Sequence, residues 1–91
     1  MNRRILVTGS SRGIGKAIAL ELAKAGFDVT VHARSRQSEA EAVAQKIQAL
    51  GLASHVLMFD VNEREKIAAI LEQDMAQHGA FYGAVLNAGL T

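Results

Sequence analysis

Cysteine, proline and tryptophan are absent from these 91 residues, and aromatic residues make up only 4%. Without cysteine there is no disulfide framework, no cysteine-ligated zinc finger and no thiol nucleophile. Without proline no helix is broken at an interior amide. An apolar fraction of 49% with so few rings calls for a core of Ala, Val, Ile and Leu, as where helices pack on parallel strands, and it excludes disorder as the main state. Long hydrophobic runs are missing too. The longest aliphatic stretch, Ile67 to Leu71, is far short of a membrane span, and Ile5-Leu6-Val7, behind the basic Arg3 and Arg4, is cut off by Thr8 and Gly9 too early for an export signal. The reading is a soluble, cytoplasmic chain with no membrane partner. One-sided charge is also lacking: ten Lys plus Arg against nine Asp plus Glu leave +1, so bulk charge gives no reason to expect nucleic acid as a partner.

What is present is periodic. Four β-type runs, 4–8, 29–33, 55–59 and 82–86, start about 25 to 27 residues apart, and each is stopped by a Gly, Ser, Asp or Asn within the next two residues. Between runs that spacing leaves room for one crossover helix and two turns. Three stripes have helical spacing: Ile14, Ile18 and Leu22; then Ala40, Val43, Ala44, Ile47 and Leu50; then Ile67, Ile70, Leu71 and Met75. Ser38 with Glu41 and Asn62 with Glu65 have capping-box spacing, and Gly26, Gly51 and Gly79 stand where a left-handed C-terminal cap favours glycine. The expectation is an α/β chain with a doubly wound parallel sheet in spatial order 3-2-1-4. Ligands bind such sheets beyond the carboxyl ends of the strands, here just after Thr8, Ala33, Phe59 and Leu86.

The segment after the first run is Thr8-Gly9-Ser10-Ser11-Arg12-Gly13-Ile14-Gly15, and it leads straight into a helical stripe. Gly9 permits a sharp exit from the strand, Gly13 lets a pyrophosphate approach the backbone, and Gly15 lets the helix sit tight. The helix start then offers free amides and a positive dipole end to an anion. An ordinary strand-to-helix turn would use glycine in the same places. The pattern is G-x-x-x-G-x-G, with Ile18 where G-x-G-x-x-G would put its third glycine. A phosphate-loop kinase or ATPase is excluded, because Ser10 replaces the first required glycine and Ala17 the magnesium-binding Ser or Thr.

Thr8 to Gly15 together with Asn87-Ala88-Gly89 resembles the short-chain dehydrogenase/reductase family, whose motifs are T-G-x-x-x-G-x-G and, at the end of the fourth strand, N-A-G. Within it, Ser11 to Ala19 is most similar to the 3-oxoacyl-(acyl-carrier-protein) reductases. The resemblance spans the whole chain and implies the amino-terminal part, residues 1–91, of a single NAD(P)-binding Rossmann-type domain. It also implies an acyl substrate carried on an acyl carrier protein, as in fatty acid synthesis, and a homotetramer or homodimer for the full-length protein. Asn87, Ala88 and Gly89 would lie beneath the cofactor ribose.

The second run ends Val31-His32-Ala33-Arg34-Ser35, with no acid to accept hydrogen bonds from an adenosine ribose. Arg34 and Arg12 suit a 2′-phosphate instead, with Ser35 beside them, so NADP(H) is favoured over NAD; solvated loop arginines are the plain alternative. Asp60 and Val61 follow the third run, where the family places an acid against adenine, although Asp60 equally fits a turn before Asn62. The cofactor-binding set is therefore Gly9, Ser11, Arg12, Gly13, Ile14, Gly15, Arg34, Ser35, Asp60, Val61, Asn87, Ala88 and Gly89.

No catalytic residue is assigned. The family's general acid is a Tyr-x-x-x-Lys pair, and the one tyrosine here, Tyr82, is followed four residues on by Leu86. The expectation is a reductase whose chemistry lies beyond these residues; a non-catalytic NADPH-binding or redox-sensing module is the alternative. His32, His55 and His78 have no regular spacing and read as surface or partly buried polar residues, with no metal site.

Overall fold

The computed structural model describes residues 3–87. Along the chain run β1 (Arg4–Val7), α1 (Gly13–Lys24), β2 (Asp28–Ala33), α2 (Gln37–Ala49), β3 (Ser54–Met58), α3 (Arg64–His78) and β4 (Gly83–Val85). All four β-type runs are strands, and they form one parallel sheet in the order β3-β2-β1-β4, as the spacing predicts. Ile5 lies opposite Val29 on one side and Gly83 on the other. The helices end as expected in left-handed glycines, with φ of 98° at Gly26, 90° at Gly51 and 91° at Gly79.

Crossover handedness and strand alternation together divide the sheet into two unlike faces. From β1 to β2 to β3 the strands step in one direction, so right-handed connections put α1 and α2 on one face, and the return to β4 carries α3 to the other. Side chains alternate along each strand. Ile5, Val7, Val29, Val31 and Ala33 therefore point into a single apolar core with Ala19, Ala23, Ala40, Val43, Ala44 and Ile47. The intervening residues Arg4, Thr30 and His32 give the opposite face a polar set, and all three are buried there alongside Leu6.

On that polar face α3 is held by an ionic clamp. The buried Arg4 guanidinium donates to Thr30 Oγ1 (3.0 Å), to Asp74 Oδ2 (2.5 Å) and to the Gly79 carbonyl, and it lies 3.7 Å from the centre of the Phe81 ring. His55 Nε2 meets the other oxygen of Asp74 at 2.6 Å. Burial pushes the Asp74 carboxyl up, but the hydrogen bonds and charges of Arg4 and His55 together outweigh it and hold the group below the usual carboxylate range. Asp74 is the buried residue of this helix, whereas the stripe Ile67, Ile70, Leu71 and Met75 is only half-buried.

Three sequence expectations are corrected. The inner line of α1 is Gly15, Ala19 and Ala23, with Ile18 and Leu22 packed at its edge, while Ile14 is 73% exposed; only small residues fit where the helix lies closest to the sheet. Leu50 is the C-cap of α2 and 49% exposed, outside the buried stripe. Neither capping box forms: α2 starts at Gln37 after Arg36 and α3 at Arg64 after Glu63, and neither has a side-chain cap. The helices start one residue before Ser38 and two after Asn62, so both would-be caps are out of register.

The two ends of the α2 stripe differ testably. Ile47→Ala, at a fully buried site, is expected to cost about 2–5 kcal/mol. Leu50→Ala is expected to cost under about 0.5 kcal/mol. Urea unfolding of the two variants, read as a shift in midpoint, checks both.

Candidate functional site

At the carboxyl ends of β1, β2 and β3 the chain builds a loop whose own polar groups are internally tied except where α1 begins. Gly9 turns the chain out of β1 with φ of 63°. Ser10, fully buried, fastens the turn to β2: its amide donates to the His32 carbonyl (2.9 Å), its hydroxyl donates to the Val7 carbonyl (2.7 Å), and it accepts from the His32 amide (3.0 Å). Thr8 Oγ1 accepts from the Asn87 amide at 2.7 Å, and Asn87 Nδ2 donates to the Gly9 carbonyl at 3.3 Å. Asn87 thus ties the end of β4 to the loop.

His32 departs from its sequence reading. It is 1% exposed, accepts from the Gly9 amide at Nδ1 (2.9 Å) and bonds the Phe59 carbonyl through Nε2 (2.8 Å). An imidazole that accepts at one nitrogen and meets a carbonyl at the other is neutral and carries its proton on Nε2. Burial pulls its pKa below the usual histidine value, against a smaller upward pull from the Phe59 carbonyl.

Beyond this stitching the backbone is open. Among the described residues nothing accepts from the amides of Ser11 to Gly15, no side chain caps α1, and its first turn contains no acid. The positive end of the helix is uncompensated there. Gly15 explains how the helix start is placed: a Cβ at that position would stand 2.1 Å from the Gly9 carbonyl oxygen and 2.8 Å from Asn87 Nδ2. Gly13 has φ of 62° and open space where a Cβ would project.

A cavity of about 360 Å3 lies against this loop. It brings together the expected Gly9, Ser11, Arg12, Arg34, Ser35, Asp60 and Val61, and adds His32 and Arg36. Arg34 is mostly exposed, with Nε 3.8 Å from Asp60 Oδ2. Asp60 also accepts from the Asn62 amide through Oδ1 (2.9 Å), so it forms the turn and lines the cavity at once. Gly13, Ile14 and Gly15 at the helix start and Asn87 after β4 are not in this cavity wall, and Ala88 and Gly89 lie outside the described residues. Sequence reasoning missed Ser10, His32 and Arg36. Strand alternation places His32 opposite the apolar core, but its partners are 23 and 27 residues away and leave no local signal.

The other two histidines meet on the α3 face. His55 stacks on His78 with centroids 4.0 Å apart, and together with Asp74 they bring three ligand-type atoms within 4.8 Å of one another. Both Asp74 oxygens are already held by Arg4 and His55, so the group serves as part of the clamp. No helix among the described residues is long and apolar enough to cross a membrane.

A parallel sheet in this order, with a glycine turn opening onto an uncapped helix start, is the Rossmann-like, doubly wound α/β arrangement. The short chain dehydrogenase family model matches residues 3–91, and the chain belongs to that family. It is 63% identical over all 91 residues to the 3-oxoacyl-(acyl-carrier-protein) reductase FabG of Aggregatibacter actinomycetemcomitans, and 38% identical to that of Staphylococcus aureus. It spans 38% and 37% of those two relatives. Among solved structures, an acetoin dehydrogenase from Enterobacter cloacae superposes on the whole chain with a TM-score of 0.90 at 32% identity, over 36% of its own length. A hydroxysteroid dehydrogenase from Escherichia coli covers 96% of the chain with a TM-score of 0.84 at 30% identity, over 37% of its own length.

The Gly15 contact yields a prediction. Gly15→Ala must push α1 off the Gly9 carbonyl, and overpacking of this kind is expected to cost about 1–3 kcal/mol of stability. Gly13→Ala meets no atom and should act only through its backbone angle, costing about 1–2 kcal/mol. Amide exchange should separate them: Gly15→Ala loosens Asn87 as well as the loop, whereas Gly13→Ala leaves Asn87 protected.

Proposed function

We propose that this chain is the amino-terminal part of a single NAD(P)-binding domain. In this reading the whole protein transfers hydride from NADPH to the 3-oxo group of an acyl chain on an acyl carrier protein, working as a homo-oligomer. The observation that carries the reading is the convergence, at one strand end, of an uncapped helix start with unpaired amides and a cavity lined by Arg12, Arg34 and Arg36 and no acid except Asp60. The identity to 3-oxoacyl-(acyl-carrier-protein) reductases supports the choice of substrate class.

The residues present fit the dinucleotide. The amides of Ser11, Arg12, Gly13, Ile14 and Gly15 suit a diphosphate, which a helix N-terminus binds through N–H groups and dipole together. Arg12 and Arg34, with Ser35, suit a 2′-phosphate, since guanidinium forks pair with phosphate oxygens. Asp60 can accept from the adenine amino group and Val61 can flank the ring; the family resemblance assigns Asn87, Ala88 and Gly89 to the ribose. The bound nicotinamide supplies the hydride. A developing alkoxide needs a proton donor, and Tyr82, without a lysine four residues on, does not provide the family's pair; the part these residues play is to hold and orient the cofactor.

Titration calorimetry tests the cofactor assignment. Arg34→Met and Arg12→Met are each expected to weaken NADPH by more than about tenfold and to leave NADH within about twofold. Equal losses for both dinucleotides would reject the 2′-phosphate assignment. NADPH oxidation by the whole protein on a 3-oxoacyl thioester is the expected activity, and tight NADPH binding without turnover would mark a non-catalytic module instead.

A further inference from the structure

The cavity contains one buried titratable group that the cofactor reading does not use. We propose that His32, fixed as the Nε2–H tautomer, is a positioning residue that holds the phosphate-binding turn in shape through the Gly9 amide. The inference rests on the dinucleotide reading for its ligand, and on this chain's own geometry for everything else.

One ring joins three strand ends. His32 leaves the end of β2, its Nδ1 accepts from Gly9 after β1 at 2.9 Å, and its Nε2 donates to Phe59 after β3 at 2.8 Å. The Phe59 ring lies 4.0 Å away, centroid to centroid, and keeps the imidazole from turning. Gly9 is thereby pinned at both ends, its amide by His32 and its carbonyl by Asn87 Nδ2, and that carbonyl is the surface against which Gly15 starts α1. Ser10 reaches His32 only through that residue's backbone and fastens the turn to Val7 as well, so the imidazole sets the direction of the Gly9 amide and not merely the proximity of loop and strand.

Acid should release this contact. A protonated imidazole has two donors and no acceptor, so an Nδ1–H would face the Gly9 N–H. Burial lowers the ring's pKa from the usual 6.5 and keeps it neutral there, and the contact is lost as pH falls through that lowered pKa. The charged groups around the cavity are Arg12 from the loop, Arg34 and Arg36 after β2 and Asp60 after β3; α3 contributes none of the lining residues.

Two substitutions separate the two nitrogens. In His32→Asn the amide oxygen takes the place of Nδ1 and still accepts from Gly9. In His32→Gln the amide nitrogen takes the place of Nε2 and still donates to Phe59, leaving the Gly9 amide without its partner. The Asn variant is expected to bind NADPH within about threefold of wild type, and the Gln variant about tenfold or more weaker. NADH affinity, free of the 2′-phosphate that itself titrates near pH 6, is expected to fall on acidification in wild type and to stay level in the Asn variant. Nitrogen-15 spectra of the ligand-free protein are expected to show His32 unprotonated at Nδ1 and protonated at Nε2, a readout that holds even where a variant fails to fold. Equal binding by both variants, an acid loss retained in the Asn variant, or a proton on Nδ1 would overturn the inference. Wild-type protein that binds neither dinucleotide would instead overturn the functional reading and with it the ligand role of His32, while the spectra still decide the tautomer.

Discussion

The contact between Gly15 and the Gly9 carbonyl is the constraint on which the rest of the site depends. A side chain of any size at position 15 is excluded, since even its first carbon would stand 2.1 Å from that oxygen. With the helix start placed that close, the open amides of Ser11 to Gly15 fall at the end of β1 instead of a turn further out. The turn can accept this approach only because its own polar groups are already paired: Ser10 with β1 and β2, the Gly9 amide with His32, the Gly9 carbonyl with Asn87. Unpaired buried groups here would cost about 1–3 kcal/mol each and favour relaxation of the loop. Internal pairing of residues 8–10 and the openness of 11–15 are thus two sides of one arrangement, a rigid platform followed by free donors.

The same division of labour extends across the sheet. The α1 and α2 face is a conventional apolar core, with Val7, Val29, Val31 and Ile47 fully or almost fully out of water. The α3 face carries Arg4, Thr30, His32 and His55, and each is either paired or stacked. Such a face adds little net stability, because the desolvation of buried charges offsets most of their attraction. It adds direction. Apolar side chains would let α3 slide, whereas the fork of Arg4 fixes Asp74 and the end of the helix at Gly79 in one register. His32 exploits the same face at its upper edge, where a polar side chain pointing away from the core can reach the loops after β1 and β3.

Much of this was legible in the sequence and some was not, for identifiable reasons. Strand positions, sheet order and the three C-terminal glycines follow from periods of 2 and 3.6 and from backbone angles, which are local properties. The glycine turn was legible because its chemistry depends on what the residues lack. Ile14 misled because helical spacing was read by hydrophobicity alone, whereas the closest packing of α1 selects Gly15, Ala19 and Ala23 for their small size. The capping boxes misled because a cap depends on register to one residue, finer than a periodic pattern resolves. Asp74 and His32 were invisible because partners such as Arg4, 70 residues from Asp74, exist only once the chain has folded. Arg12, Arg34, Ser35, Asp60 and Val61, read separately off two motifs and two strand ends, do line one cavity.

The charge of the site illustrates why whole-chain totals say little about ligands. A net charge of +1 gave no reason to expect a polyanion such as nucleic acid, yet three of the arginines line a single cavity that contains one acid, next to a helix start with no acid in its first turn. Within a Debye length of about 8 Å at physiological ionic strength these charges act together, and Arg36 is offset by a half-exposed pair with Glu39 of α2 at 3.4 Å. Asp60 moderates the cluster: at 3.8 Å it loosely holds Arg34 without burying it, since Arg34 keeps most of its surface in water. An exposed pair of this kind is worth little to the fold, typically under about 1 kcal/mol, so a phosphate can compete for the guanidinium at small cost. Weak internal pairing is what keeps an arginine both oriented and available, and a tighter ion pair at this position would stabilise the loop at the expense of the ligand.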